Sequence, residues 1–269
     1  MKSFLVAVVA AYLIAAIHSI LAFVNKRAAL QRVAEWSLAA GFVVHIITLL
    51  EDWTLDGHYP LFNLKETLSF LAWALVAVYG VMLYRYRAQA IGVFMMPLIS
   101  VLTCAALLIP REPNAPPEFS STLLFPIHTT LFIFAYAAFF VVFMASVMYL
   151  LQERELRLKT FSAIFHRLPS LATVNELATS AAALGLTLLT LGIATGMLWS
   201  STEVGRIWRN DPKEIFAVLT WLLYLFLIIY RSTAGWRGRR AAWIGVAGFG
   251  LVLCTFFGAR LLGGYHVFG

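Results

Sequence analysis

The chain has 269 residues, of which 61% are apolar and 12% charged; an ordinary soluble domain has roughly 45 to 50% and about 25%. That balance argues against a water-soluble globule. Lys and Arg number 20 against 13 Asp and Glu, a net charge of +7, and where the charges sit decides between a nucleic-acid surface and a membrane topology signal.

A bilayer crossing takes about 20 apolar residues, because each helical residue rises ~1.5 Å through a hydrocarbon layer ~30 Å thick. Eight stretches qualify, at residues 4–24, 33–50, 66–84, 90–109, 124–151, 181–199, 215–230 and 241–262. The first follows Lys2 but ends in Asn25-Lys26-Arg27 rather than a small-residue cleavage site, so it is predicted to be a retained helix. Between spans five and six, Gln152-Glu153-Arg154-Glu155 continues the fifth helix with charged residues. Leu168-Pro169-Ser170 then breaks the chain, and Ser170 is placed to cap a short amphipathic helix rising into span six. With no linker, repeat or low-complexity tract, the expectation is an all-α, polytopic helical bundle forming a single membrane domain over residues 1–269.

Eight spans put both termini on one side, and the loops choose it. Loops one, three, five and seven carry 13 basic and four acidic residues, a balance of +9; the other face carries seven basic and nine acidic, a balance of −2. By the positive-inside rule both termini face the outer, periplasmic side, and the +7 is a topology signal. The basic clusters lack interleaved aromatics, so no nucleic-acid partner is expected. Cys104 and Cys254 form neither CxxC nor CxxCH, and no zinc-ligand spacing is present.

Histidine inside a bilayer is costly unless bonded or ligating, so each is a candidate functional residue. His45 lies in span two and His18 in span one; for each, a helix-to-helix hydrogen bond competes with metal ligation. His128 opens span five just after Pro126, His266 lies beyond the outer end of span eight, and His58 and His166 are loop residues. The outer loop 199–214 mixes Trp199, Gly205, Arg206, Trp208, Arg209, Asp211 and Lys213 at a membrane boundary. Interfacial tryptophan anchors, and Asp211-Pro212 followed by Glu214 as a helix start, explain part of it. Its glycine and aromatic content also suits a flat apolar ligand close to the backbone.

The run Gly196, Trp199, Gly205, Trp208, Asp211-Pro212-Lys213-Glu214 and Thr220-Trp221 resembles the tryptophan-rich loop and following helix of the cytochrome c assembly protein family, haem-handling membrane proteins of the CcsA and HemX type. The order of the first outer loop (Gly57-His58-Tyr59-Pro60 through Glu66-Thr67-Leu68), His128, the Leu168-Pro169-Ser170-Leu171 turn and the terminal Phe257-Gly258-Ala259-Arg260 through His266 is similar as well. The departures are Val204 and Asn210 in place of further tryptophans, Ile207 in place of an aromatic, and Tyr230 where cytochrome-assembly members have a membrane-embedded histidine. The Gly235-Trp236-Arg237-Gly238 loop is more similar to the short HemX-type branch.

The resemblance implies non-covalent haem b held at the outer face, with His128 and His266 as axial ligands to its iron; His45, by its place inside span two, is the alternative ligand. It also implies Trp199 and Trp208 around the macrocycle, Arg206, Arg209 or Lys213 near the propionates, and Asp211 in the same loop. Haem, the lipid bilayer, a second membrane assembly protein and apocytochrome c are the implied partners, in a bacterial inner membrane. No residue is singled out as a catalytic acid or base, which suits a haem-binding component of a synthase system. The rival is an accessory or regulatory membrane protein without haem transport.

Overall fold

The structure is a computed structural model that describes residues 2–87, 89–110, 122–159, 165–208, 211–233 and 238–255. Regular structure among these residues is entirely helical: α1 (Lys2–Asn25), α2 (Ala28–Asp56), α3 (Leu64–Tyr86), α4 (Gly92–Leu108), α5 (Leu124–Leu158), α6 (Leu171–Val204), α7 (Pro212–Thr233) and α8 (Arg239–Leu253), with single 3-10 turns at Gln89–Ile91 and Phe165–Arg167. Seven of these are long and apolar enough to cross a membrane. The described part of α8 has 15 residues, and the rest of the predicted eighth span lies outside the described residues. The polytopic helical bundle is therefore what the chain forms.

The helices fall into two compact units, α1–α4 and α5–α8. In the first, the turns are set by local backbone chemistry. Lys26 takes a positive φ of 53° between α1 and α2, and Gly57 closes α2 at φ 67°, a left-handed conformation that costs glycine almost nothing. At the start of α3, Asn63 accepts from the Glu66 N–H at 2.9 Å while its own Nδ2 donates to Glu66 Oε1 at 2.6 Å. The first bond satisfies an orphan N–H of the new helix, and the second ties the capping side chain to the same residue.

The core of this unit is tied by polar contacts across helices. Tyr12 and His45 are fully buried. The Tyr12 hydroxyl lies 3.2 Å from His45 Nδ1, His45 Nε2 lies 2.9 Å from Ser69 Oγ, and Ser100 Oγ donates to the Tyr12 carbonyl. One tyrosine–histidine pair thus links α1, α2, α3 and α4. Gly41 makes the approach possible, because a Cβ there would lie 2.7 Å from the Tyr12 ring.

In the second unit α5 has 35 residues and α6 has 34, about 50 Å each at ~1.5 Å per residue, so both outrun the ~30 Å hydrocarbon layer. The charged continuation of α5 is helical to Leu158. The expected amphipathic helix and span six are one uninterrupted helix, because no glycine or proline breaks the chain from Leu171 to Ala183. Ser170 caps it, its Oγ accepting from the Thr173 N–H at 3.2 Å.

Antiparallel packing of α5 on α6 uses glycines in register. A Cβ at Gly185 would meet the Phe139 ring at 2.5 Å, and one at Gly192 the Phe132 ring at 2.7 Å; one at Gly196 would strike the imidazole of His128. Stepping up α6 by seven and then four residues steps down α5 by the same numbers, which is the i, i+4, i+7 face of each helix. The other helices close on this pair. Tyr224 of α7 stacks on Phe139 at 3.6 Å and 10°, and Trp221 Nε1 donates to Thr190 Oγ1 at 2.8 Å. Arg231, 7% exposed, donates through one nitrogen to the Asn175 side chain and to Thr179 Oγ1 at 2.7 Å.

Candidate functional site

His128 sits in the second turn of α5, and α6 holds its ring from the side. The imidazole Nδ1 is 2.9 Å from the Gly192 carbonyl oxygen. A carbonyl only accepts, so Nδ1 carries a proton. Gly196 supplies the room, since a Cβ there would lie 2.5 Å from that same nitrogen. Trp199, 3% exposed, lies nearly parallel to the imidazole, at 14° and 6.3 Å between centroids. Phe132 packs on the imidazole at 4.7 Å and 59°, and Phe125 meets Trp199 at 5.8 Å. The ring is thus half-buried, its plane set by aromatic contacts and its tautomer by one backbone carbonyl.

The stretch read as a loop over 199–214 is shorter in the structure. Trp199 through Val204 are the last turn and a half of α6, which ends at Gly205 with φ 69°. Glycine is favoured there because the left-handed conformation strains a residue with a Cβ. Helix propensity in Trp199-Ser200-Ser201-Thr202 is unremarkable; packing of Trp199 against α5 carries the helix onward. The Ser200 hydroxyl donates to the Arg206 carbonyl at 2.7 Å, folding the connection back over the end of α6. Arg206, Ile207 and Trp208 are exposed there. Arg209 and His266 lie outside the described residues.

Asp211 is 2% exposed and caps α7, its Oδ1 accepting from the Lys213 N–H at 2.8 Å while Glu214 Oε2 accepts from the Asp211 N–H at 3.3 Å. Pro212 occupies the first helical position, as expected. This capping duty was one of two roles legible in the sequence. Asp211→Ala should cost about 1 kcal/mol and Asp211→Asn almost nothing, since asparagine caps equally well. Thermal unfolding in detergent checks this; equal losses in the two variants would mean that the charge matters and the cap does not.

Among the other histidines, His45 engages both ring nitrogens with Tyr12 and Ser69, so iron at either nitrogen displaces one of those contacts. His18 Nδ1 bonds the Ile14 carbonyl of its own helix at 2.8 Å. Sequence spacing suggested no zinc site, yet Asp56, His58 and Glu66 converge at the α2–α3 turn, with ligand atoms within 4.8 Å of one another. The reversal at Gly57 brings them together, and no spacing in the sequence signals it.

Fold and site define a multi-pass helical membrane protein with an imidazole and a tryptophan held together at one end of a glycine-faced helix pair. Residues 61–266 match the family described as Cytochrome C assembly protein, and the chain belongs to that family. It is 28% identical over 274 residues to the cytochrome c biogenesis protein CcsA of Heterosigma akashiwo (strain NIES-293), covering 88% of this chain and 84% of that one. It is 30% identical over 283 residues to CcsA of Synechococcus sp. (strain JA-2-3B'a(2-13)), covering 82% and 80%. Among solved structures, the cytochrome c haem lyase CcmF superposes with a TM-score of 0.67 over 94% of this chain and 45% of that one, at 14% identity. That likeness shows a shared fold.

Proposed function

We propose that this protein holds haem b, as cargo rather than as a resident cofactor, at the outer face of a bacterial inner membrane for attachment to apocytochrome c. The observation that carries the reading is the state of His128. A backbone carbonyl orients its Nδ1–H, which is how metal-ligating histidines are usually held. The donor chemistry fits: neutral imidazole is a common haem ligand, and Trp199 offers an aromatic plane beside it. His266 is the second axial ligand in this reading. Trp208 flanks the macrocycle, and Arg206 and Arg209 pair with its propionates through charge-assisted bonds.

The chain's own part is binding and orientation. Haem brings the iron and the vinyl groups; the protein supplies axial nitrogen, aromatic cover and cationic partners, and a second membrane assembly protein receives or shares the load. A rival reading, an accessory of the HemX type without haem transport, draws on Tyr230, which packs against Phe226 at 5.6 Å on α7 in place of a membrane histidine.

The test is the visible spectrum of protein purified in detergent from haem-replete cells, together with a reporter fused at the carboxy terminus. A haem Soret band and activity of a reporter that works only outside the cytoplasm are the expected results. Protein purified without haem supports the accessory reading, and a reporter active only in the cytoplasm inverts the topology.

A further inference from the structure

We propose that Asp56, His58 and Glu66 form a binding site for a divalent transition-metal ion at the turn between α2 and α3. The three sit on different local elements that the fold brings together. Asp56 is the last residue of α2, His58 follows the left-handed Gly57, and Glu66 lies in the first turn of α3. One ligand atom from each lies within 4.8 Å of the other two. Some point is therefore within about 2.8 Å of all three, and side-chain shifts of at most about 0.8 Å bring them to the ~2.0–2.2 Å of zinc–nitrogen and zinc–oxygen bonds.

Part of the geometry is already set. The Glu66 carboxylate is immobilised, Oε2 accepting from the Phe62 N–H at 2.8 Å and Oε1 from Asn63 Nδ2 at 2.6 Å, and each oxygen keeps a further lone pair. His58 Nδ1 is 4.0 Å from Glu66 Oε2 and 3.2 Å from the Tyr59 carbonyl oxygen. The 4.0 Å separation is somewhat longer than the ~3.3 Å between two ligands of one tetrahedral ion with ~2.0 Å bonds; the Nδ1–H donates to the Tyr59 carbonyl, and an ion bound at Nδ1 replaces that proton and ends the hydrogen bond. The side chains of His58 and Glu66 are 11% and 8% exposed, so little water screens what they hold.

The field around the site also favours a cation. Asp56 ends α2, and the last turn of that helix carries no basic residue. The helix dipole places partial negative charge at that same end, where cations are stabilised. Two carboxylates and one imidazole select a transition ion such as Zn²⁺ over Ca²⁺ or Mg²⁺, which prefer oxygen alone. An ion there staples the α2–α3 turn and keeps a coordination position for water.

The inference is independent of haem binding. The test is equilibrium dialysis of Zn²⁺ with the full chain, purified in detergent without a polyhistidine tag, free of haem and stripped by chelator. One Zn²⁺ per chain is expected for wild type and His166→Ala, with affinity down tenfold or more in His58→Ala, Asp56→Asn and Glu66→Gln. Glutamine at position 66 can still accept from the Phe62 N–H or from Asn63 Nδ2, so its loss of metal is not a loss of fold, and Zn²⁺ should raise the unfolding temperature of wild type and His166→Ala but not of the other three variants. No bound Zn²⁺, or binding that survives the combined His58→Ala and Glu66→Gln substitutions, overturns the proposal.

Discussion

His128→Ala is expected to strip the purified protein of the haem that wild type retains, lowering affinity on the order of 100-fold. The scale follows from metal sites in general, where removing a partner that merely orients a ligating histidine already costs ~10–100-fold. The fold should survive, because the ring is only half-buried and α5 meets α6 along the whole glycine face. Thermal unfolding of the variant should therefore stay within a few degrees of wild type while its Soret band falls. Added imidazole should restore the band in His128→Ala, since alanine leaves space where the ring stood; a purely structural histidine would not be rescued spectroscopically. His45→Ala should do the reverse, keeping haem and losing stability, because it leaves Tyr12 and Ser69 without a shared partner inside the bilayer. A Soret band unchanged in His128→Ala would remove the imidazole from the proposed site.

The second large effect is at the glycines of α6. Replacing glycine by alanine within a helix normally stabilises it by about 0.5–1 kcal/mol. At Gly185 the sign should reverse, because the new Cβ lies 2.5 Å from a Phe139 ring that is itself clamped against Tyr224 at 3.6 Å. Overpacking of this kind costs roughly 1–3 kcal/mol and outweighs the propensity gain. Gly80 and Gly250 are internal controls, since a Cβ at either meets nothing within 4 Å, and alanine there should be neutral or stabilising. Gly196→Ala separates function from fold. The three atoms nearest its Cβ all belong to the His128 ring, so the imidazole swings away from the Gly192 carbonyl; haem affinity should drop about tenfold with little change in unfolding temperature. Detergent thermal melts and haem titration of the four variants check the set, and a stabilised Gly185→Ala would show that the α5–α6 contact is looser than described.

Much of the architecture was legible residue by residue. Apolar runs of about 20 residues and the charges between them marked the helices; Ser170 and Asp211-Pro212 marked where α6 and α7 begin, because a cap is a local contact between neighbours in sequence. Less was legible where an element ends under tertiary influence. Nothing in Trp199-Ser200-Ser201-Thr202 itself prolongs α6, and the helix runs on to Val204 with Trp199 buried beside His128. His58 read as a solvated loop residue because a single imidazole carries no partner in its own spacing; Asp56 and Glu66 reach it only across the Gly57 reversal.

By itself, then, the sequence determined that this is a multi-pass helical membrane chain, where α6 and α7 start, and which rare polar residues have to be accounted for. These follow from the bilayer's thickness, the cost of burying charge, and bonds spanning three or four residues. Tertiary structure alone decided that Gly185, Gly192 and Gly196 face Phe139, Phe132 and His128, that His45 braces four helices, and that one carbonyl sets the His128 tautomer. Such pairings depend on the register of one helix against another. Register is a matter of shape between residues dozens of positions apart, and helical periodicity within either partner leaves it open.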